Sequence, residues 1–152
     1  MHSYVIKKLE PEEIYKWYED WDNKANPLWV RAIYDDMKSG NRLIFVCAKY
    51  GKLMGEGELV LKHTDPDYSI PLKRIHLSRL IIKPDFMNQG AGGALVDYLF
   101  SYARSLGYEE MSVGVDLEDL SAKHLYEVKG FMEVNNEGED EDGKYLKLLK
   151  KL

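Results

Sequence analysis

The sequence has few or none of the features that mark several protein classes. It contains one cysteine, Cys47, so no disulfide can form within the chain, and we expect a reducing, cytoplasmic setting. No apolar run approaches the roughly 20 residues of a membrane span, and the apolar stretch near the N-terminus is too short for a signal peptide. A net charge of -5 argues against a nucleic-acid partner, because phosphate binding needs a concentrated positive field. We therefore expect a soluble protein that binds neither membranes nor nucleic acids.

The chain nevertheless has enough apolar residues for one core. Of its 152 residues, 45% are hydrophobic and 31% are charged, which is ordinary for a globular protein. This length suits one domain rather than two, and no repeat or Pro/Gly/Ser-rich linker divides it. We predict that residues 1–152 form a single domain, which needs neither a disulfide nor a metal for stability.

Hydrophobic periodicity predicts alternating strands and helices along the chain. Strands are predicted at residues 4–9, 43–49, 53–62, 74–82, 111–115, 131–134 and 144–152. Helices are predicted after Pro11, from Asn26 to Gly40, from the glycine-rich turn to Gly107, and at residues 121–129. The acidic run at residues 137–142 is predicted to be an exposed hairpin turn. This order indicates a mixed α/β domain, with parallel pairing where helices connect strands.

A glycine-rich turn lies between a predicted strand and a predicted helix, with the sequence Asn88-Gln89-Gly90-Ala91-Gly92-Gly93. Backbone N–H groups at a helix start attract anions, and glycine lets a phosphate approach without a Cβ in the way. The turn lacks the Gly-Lys-Ser/Thr of a P-loop, and Leu95 replaces the third glycine of a Rossmann turn. The turn alone is compatible with two interpretations, an anion-binding site or a plain connection between a strand and a helix.

Two further segments of the sequence belong together. The first is residues 80–95, and the second is Ala122-Lys123-His124-Leu125-Tyr126-Glu127-Val128-Lys129-Gly130-Phe131. The first resembles the cofactor segment of the GNAT acetyltransferase superfamily, and the second is similar to that family's A-x-x-L-Y-x-x-x-G-F signature. Both occur in the family's order and spacing, and the predicted elements match over nearly the whole chain. The resemblance implies a mixed, mostly antiparallel central sheet flanked by helices. It also implies acetyl-CoA as co-substrate and no metal.

The resemblance further assigns roles to particular residues. The backbone of Leu80 and Ile82, with Ile81 between them, would pair with the pantetheine arm as an added strand would. The pyrophosphate would be held by the main-chain N–H groups of Asn88, Gln89, Gly90, Ala91, Gly92 and Gly93. Tyr126 matches the tyrosine near the thioester sulfur, which is usually regarded as the general acid. A core aromatic on a short helix is the alternative for this tyrosine.

Two positions depart from the family pattern. Met87 stands where members often have Arg or Gln, so the cradle would depend on backbone N–H groups. Asp119 replaces an Asn that many members carry, which places a carboxylate close to the cofactor arm. We expect cofactor binding to survive the first change, and we do not assign the role of the Asn to Asp119.

Acetyl transfer to an amine also calls for a base, because deprotonating an alkylamine at pH 7 costs about 4–5 kcal/mol. The candidates for this base, or for amine binding, are Glu56, Glu58, His76 and Asp116 on predicted central strands. Glu56 and Glu58 share one strand face by the two-residue period, and solvated strand carboxylates are the alternative. Cys47, in an apolar strand, is expected to be a buried inert thiol.

The expected acceptor is a small cationic amine, such as a polyamine, an aminoglycoside-type compound or an amino-acid derivative. Aromatic residues at helical spacing in the N-terminal helices are expected to be mostly core, with one or two lining a cation pocket. The members of this set are Trp17, Tyr18, Trp21, Trp29 and Tyr34. A protein lysine or N-terminus is an alternative acceptor, and a non-catalytic acyl-CoA-binding module is an alternative of another class. A homodimer is compatible with the sequence.

Overall fold

A computed structural model describes residues 4–21 and 26–152, without the side chains of residues 20 and 21. The described strands are β1 (Val5–Lys8), β2 (Arg42–Lys49), β3 (Lys52–Val60), β4 (Arg74–Ile82), β5 (Glu110–Asp116), β6 (Glu133–Asp140) and β7 (Gly143–Lys151). The described α-helices are α1 (Ile14–Trp21), α2 (Pro27–Lys38), α3 (Ala91–Ser105) and α4 (Leu120–Val128). Short 3-10 helices, Pro11–Glu13 and Pro84–Phe86, precede α1 and follow β4.

The strands form one sheet in the order β1-β2-β3-β4-β5-β7-β6. Only β4 and β5 pair in parallel among these neighbours, so the expected mixed, mostly antiparallel α/β sheet is confirmed. The helix α3 connects this parallel pair, as predicted. The same expectation was wrong for β1 and β2, which α1 and α2 connect but which pair antiparallel, and for β5 and β6, which α4 connects. The tight β6–β7 hairpin returns β7 to the edge of β5, where it pairs antiparallel and separates β5 from β6.

The helix α2 shows how local sequence sets an element's limits. The side chain of Asn26 accepts a hydrogen bond from the Leu28 N–H, and Pro27 occupies the first helical position, where its missing N–H costs nothing. The chain leaves the helix at Gly40, whose φ of 81° favours glycine. The predicted start and end of this helix are therefore confirmed.

The C-terminal hairpin differs from the sequence prediction. The strand β6 continues to Asp140, so the turn is confined to residues 141 and 142, and the predicted turn at residues 137–142 was wrong. Acidic side chains are compatible with a strand here because β6 lies at the sheet edge and is mostly exposed. Phe131, predicted to begin a strand, instead precedes β6 and is buried in the core.

The core lies on both faces of the sheet. On one face, Leu95 and Leu99 of α3 are fully buried against β3. A Cβ at Gly57 would lie 3.0 Å from Leu99 Cδ1, so this glycine permits the close approach of α3 to β3. On the other face, α1 and α2 cover β2, with Ile14 and Ile33 buried. Within the described ranges, no helix is long and apolar enough to cross a bilayer.

Candidate active site

The strands β4 and β5 separate halfway along their length. Their pairing runs from Arg74 opposite Glu110 to Leu77 opposite Val113 and then stops. At this point Ser78 is skipped in the pairing between β3 and β4, because Glu58 faces Arg79 and Leu59 faces Leu77. A bulge of this kind bends its strand. Among the described strands, the last four residues of β4 therefore pair only with β3, and their other backbone edge is open.

A cavity of about 790 Å³ lies beside this open edge, within the size range of small-molecule sites. The end of β4 contributes Leu80, Ile81 and Ile82, and the glycine-rich turn with the start of α3 contributes Asn88, Gly90, Gly92 and Gly93. The segment across the cavity, residues 119–128, contributes Asp119, Leu120, Ser121, Ala122, His124, Leu125, Tyr126 and Val128. The structure thus brings most of the sequence-predicted cofactor residues to one cavity.

Two of the predicted cofactor residues are not part of the cavity lining. Ala91 is buried, with 1% of its surface exposed. Gln89 has its side chain directed to the Asp85 carbonyl at 3.1 Å, and its own carbonyl accepts a hydrogen bond from the Tyr4 hydroxyl. Tyr4 therefore braces the turn from the N-terminal end of the chain.

The start of α3 presents unpaired backbone donors to the cavity. Its N-cap residue is Gly90, with φ of 88°, and no side chain of the described residues caps this terminus. The first N–H groups of an α-helix have no partner within the helix, and the helix dipole favours an anion near them. A Cβ at Gly92 would lie 3.2 Å from Leu125 Cδ2, so the space between Ile82 and Leu125 depends on glycine. This geometry fits a pyrophosphate group, as the sequence predicts.

Tyr126 lies on α4 with 6% of its surface exposed, and it lines the cavity. Its hydroxyl has no hydrogen-bond partner in the part of the chain that the structure describes, whereas its ring packs edge-on against Phe131 at 5.5 Å. Burial, and then the Asp119 carboxylate, raise the pKa of Tyr126 to about 12. Asp119 also caps α4, because its side chain accepts a hydrogen bond from the Ala122 N–H at 3.1 Å.

Glu56 and Glu58 share one face of β3, as predicted, but they are completely buried and do not line the cavity. The Trp17 indole donates to Glu56 Oε2 at 2.8 Å, and Arg42 Nη1 donates to Glu58 Oε1 at 2.7 Å. Arg79 Nε lies 2.9 Å from Glu56 Oε1. Burial and then the Glu58 charge raise the pKa of Glu56 to about 7, against the effects of the Trp17 hydrogen bond and Arg79. The two acids belong to a buried ion-pair network, so the alternative interpretation, that they are solvated strand carboxylates, was wrong.

His76 and Asp116 also lie outside the cavity lining. His76 is a buried residue of β4, and its ring stacks on Tyr68 of the preceding loop, with the ring centres 4.2 Å apart. The Ser112 hydroxyl donates to the Tyr68 carbonyl, so the 3.1 Å contact of His76 Nδ1 with Ser112 Oγ has the imidazole as donor. Asp116 is exposed at the end of β5. Cys47 is a buried free thiol, as expected.

The buried His76 ring is expected to make stability depend on acid pH. Burial, and then the nearby His63, lower the pKa of His76 to about 3. The unfolded chain takes up this proton near pH 6.5, so stability is present above that pH and falls as pH drops towards about 3. The slope from this one proton is at most about 1.4 kcal/mol per pH unit. The variant His76→Phe keeps a ring on Tyr68 but cannot take up the proton.

Urea unfolding of both proteins between pH 4 and pH 7 measures this effect. The stability difference between wild type and His76→Phe should shift in favour of the variant as pH falls. A constant difference across this range would show that His76 takes up its proton in the folded protein.

Sequence reasoning missed Arg79, which does not line the cavity, and several apolar residues that do, notably Phe86 and Leu120. Arg79 directly precedes the predicted cofactor residue Leu80, which was the available signal. Its partner Glu58 follows from the register of β3 and β4, and the Ser78 bulge changes that register in a way no short motif marks. Trp17 and Tyr18 are core residues as expected, whereas the Trp21 side chain lies outside the described residues.

Comparison with known proteins agrees with this geometry. Residues 11–131 match the family model described as acetyltransferase (GNAT) family. No match was found among curated proteins. Three solved structures illustrate the shared fold, and each is 16–19% identical to this chain.

The first is the ribosomal-protein-S18-alanine N-acetyltransferase from Escherichia coli, at 18% identity and a TM-score of 0.75, with coverage of 98% of this chain and 94% of that chain. The second is the spermidine/spermine N-acetyltransferase from Vibrio cholerae, in mutant forms, at 16% identity and a TM-score of 0.75, with coverage of 98% of this chain and 95% of that chain. The third is the PaiA N-acetyltransferase from Thermoplasma acidophilum in complex with coenzyme A, at 19% identity and a TM-score of 0.67, with coverage of 99% of this chain and 100% of that chain. This chain is therefore a member of the GNAT acetyltransferase family, a family of acyltransferases that use acetyl-CoA.

Proposed function

We propose that residues 1–152 form one N-acetyltransferase domain that moves an acetyl group from acetyl-CoA to a primary amine of a small cationic molecule. The transfer is direct, within a ternary complex. The observation that carries this proposal is the cavity itself, which combines three features. Judged on the described residues alone, these are an open strand edge at the end of β4, a start of α3 without a side-chain cap and a Tyr126 hydroxyl without a hydrogen-bond partner.

Each feature suits one part of the co-substrate. The open edge of Leu80 to Ile82 offers backbone donors and acceptors to the amides of a pantetheine arm. The N–H groups at Gly92 and Gly93 suit the pyrophosphate, which a helix start favours electrostatically. Met87 lines the cavity without contributing a charge, so backbone groups carry most of this contact. Bound acetyl-CoA supplies the activated thioester carbonyl.

The reaction forms a C–N bond and breaks a C–S bond. The amine nitrogen attacks the thioester carbonyl and gives up a proton, and the leaving sulfur of coenzyme A takes up one. Complete proton transfer from a phenol of pKa about 12 to a thiolate of pKa about 8.5 costs about 5 kcal/mol. Tyr126 therefore stabilises the departing sulfur as a neutral hydrogen-bond donor, and solvent supplies the proton in the end.

The amine proton needs an acceptor, and the four candidates differ in access. Glu56, Glu58 and His76 are buried, so an amine reaches none of them in this conformation. Asp116 is exposed at the carboxyl end of β5, and its carbonyl accepts a hydrogen bond from the Asp119 N–H at 3.0 Å, next to the cavity lining. We favour Asp116, acting through water, as the base.

The acceptor class is inferred from charge and from similar proteins. A net charge of -5 favours a cation, and the similar Vibrio cholerae enzyme is named for spermidine and spermine. The similar Escherichia coli enzyme is named for a protein N-terminal alanine, so a protein amine is the alternative acceptor. A non-catalytic acyl-CoA-binding module is the alternative from another class.

Release of free thiol from acetyl-CoA over a panel of amines tests the proposal. The panel contains polyamines, aminoglycosides, amino acids and a lysine peptide. We expect turnover with at least one small amine and little with the peptide. Turnover with the peptide alone would favour a protein acetyltransferase, and calorimetric binding of CoA with no turnover would favour the module.

A further inference from the structure

We propose that Arg79 binds a carboxylate group of the acceptor, so that the preferred substrates are small amines that also carry a carboxylate, such as amino acids. This inference rests on the proposed function: it keeps the amine acceptor and adds a carboxylate to it, so that zwitterionic amines are included beside purely cationic ones. No sequence motif marks Arg79, which directly precedes the cavity residue Leu80 in the chain.

The guanidinium of Arg79 is fixed from two sides. Its Nε lies 2.9 Å from Glu56 Oε1 and 3.7 Å from Glu58 Oε2, and both carboxylates are fully buried. Its Cζ lies 5.0 Å from the centre of the Trp29 ring, which itself packs on Tyr18 at 5.0 Å. A planar group held against an aromatic ring and two fixed acids has little conformational freedom left to lose on binding.

The two terminal nitrogens of Arg79 are left available by this arrangement. Neither Nη1 nor Nη2 makes a hydrogen bond to any residue within 4–21 or 26–152, and the side chain is 28% exposed. Arg42 donates at 2.7 Å to Glu58, so that acid has a close cation of its own. Arg79 Nε lies close to Glu56 but without the geometry of a hydrogen bond, and it is buried with no hydrogen-bond partner in the described part of the chain. The two acids therefore leave the N–H donors of Arg79 without a hydrogen bond among the described residues.

The position of Arg79 links it to the reaction. It is the first residue of β4 after the Ser78 bulge, and the next residue, Leu80, lines the cavity. Alternation along the strand places Arg79 on the face opposite α3, with α2 and its Trp29. Arg79 therefore stands at the start of the open edge of β4, on the sheet face that α3 does not cover, although its own side chain is not part of the cavity lining.

The chemistry that fits this group is a carboxylate. Two parallel N–H donors of a guanidinium match the two oxygens of a carboxylate, and such bidentate pairs are among the stronger hydrogen-bonded contacts. An ammonium group would be repelled there. The acceptor then carries its amine to the cavity and its carboxylate to Arg79.

The test compares matched acceptors rather than single rates. Each pair consists of an amino acid and the amine without the carboxylate, such as phenylalanine with phenethylamine and lysine with cadaverine. The ratio of kcat/KM within a pair is insensitive to the fraction of folded enzyme. For the wild type we expect a ratio of at least ten in favour of the amino acid.

The variant Arg79→Lys keeps a charge for Glu56 but removes the planar pair of donors. We expect it to lower the ratio at least fivefold through KM for the amino acid, with KM for acetyl-CoA unchanged within twofold. The matched control Arg42→Lys makes the same change at the other arginine of the network and should leave the ratio unchanged.

A wild-type ratio near one, or equal losses for both members of a pair in Arg79→Lys, would overturn this inference while leaving the proposed function intact. Failure to acetylate any amine of the panel would overturn both.

Discussion

Replacing Tyr126 with phenylalanine is expected to lower kcat at least tenfold while leaving the affinity for CoA unchanged. The ring is buried against Phe131, and phenylalanine preserves that packing. Only the hydroxyl is lost, and it has no hydrogen-bond partner in the described part of the chain, so the folded protein loses no bond. Loss of one preorganised hydrogen-bond donor to a developing negative charge typically costs about 10²–10³-fold in kcat, and this donor acts when the sulfur becomes negative.

The pH profile separates a hydrogen-bond donor from a titrating acid. Because the pKa of Tyr126 is raised to about 12, its own ionisation lies above the range of the assay. The rate should therefore fall by the same factor at every pH between 6 and 9, measured by thiol release with saturating substrates. A variant whose rate equals that of the wild type would remove Tyr126 from the mechanism.

Much of the fold follows from local patterns in the sequence. The limits of α2 are set by a cap, a proline and a glycine that lie within fifteen residues of each other, and β4 matches its predicted range of residues 74–82. Most residues that the family resemblance assigns to the cofactor also line one cavity, because the open end of β4 and the start of α3 adjoin in sequence. That they bind the cofactor stays a prediction. Local physics is sufficient where neighbours in sequence are neighbours in space.

The acceptor side depends on contacts that no local pattern encodes. Glu56 meets Trp17 and Arg79 from two other elements, and a carboxylate on a strand has no sequence signal that distinguishes a buried network from a solvated face. The insertion of β7 beside β5 was likewise missed, because a helix crossover and a returning hairpin compete for the same edge. Tertiary pairing decides both cases.

The same network leads to the largest expected change in stability, which is that of Arg42→Met. This side chain is 21% exposed and donates to Glu58, which is completely buried, at 2.7 Å. Removing one partner of a buried pair leaves an uncompensated charge, at a typical cost of about 3–5 kcal/mol. Since Arg79 still lies 3.7 Å from Glu58, we expect the lower end, about 3 kcal/mol.

Urea unfolding measures this loss as a shift in midpoint at constant slope. The control Lys38→Met breaks a pair with Glu12 whose side chains are 53% and 62% exposed, so its effect should be far smaller. Adding Glu58→Gln to Arg42→Met removes the charge that was left unpaired, and the double variant should recover much of the loss. Equal losses for Arg42→Met and Lys38→Met would mean that water reaches Glu58. Access of water to Glu58 would in turn restore that carboxylate as a candidate base for the acceptor amine.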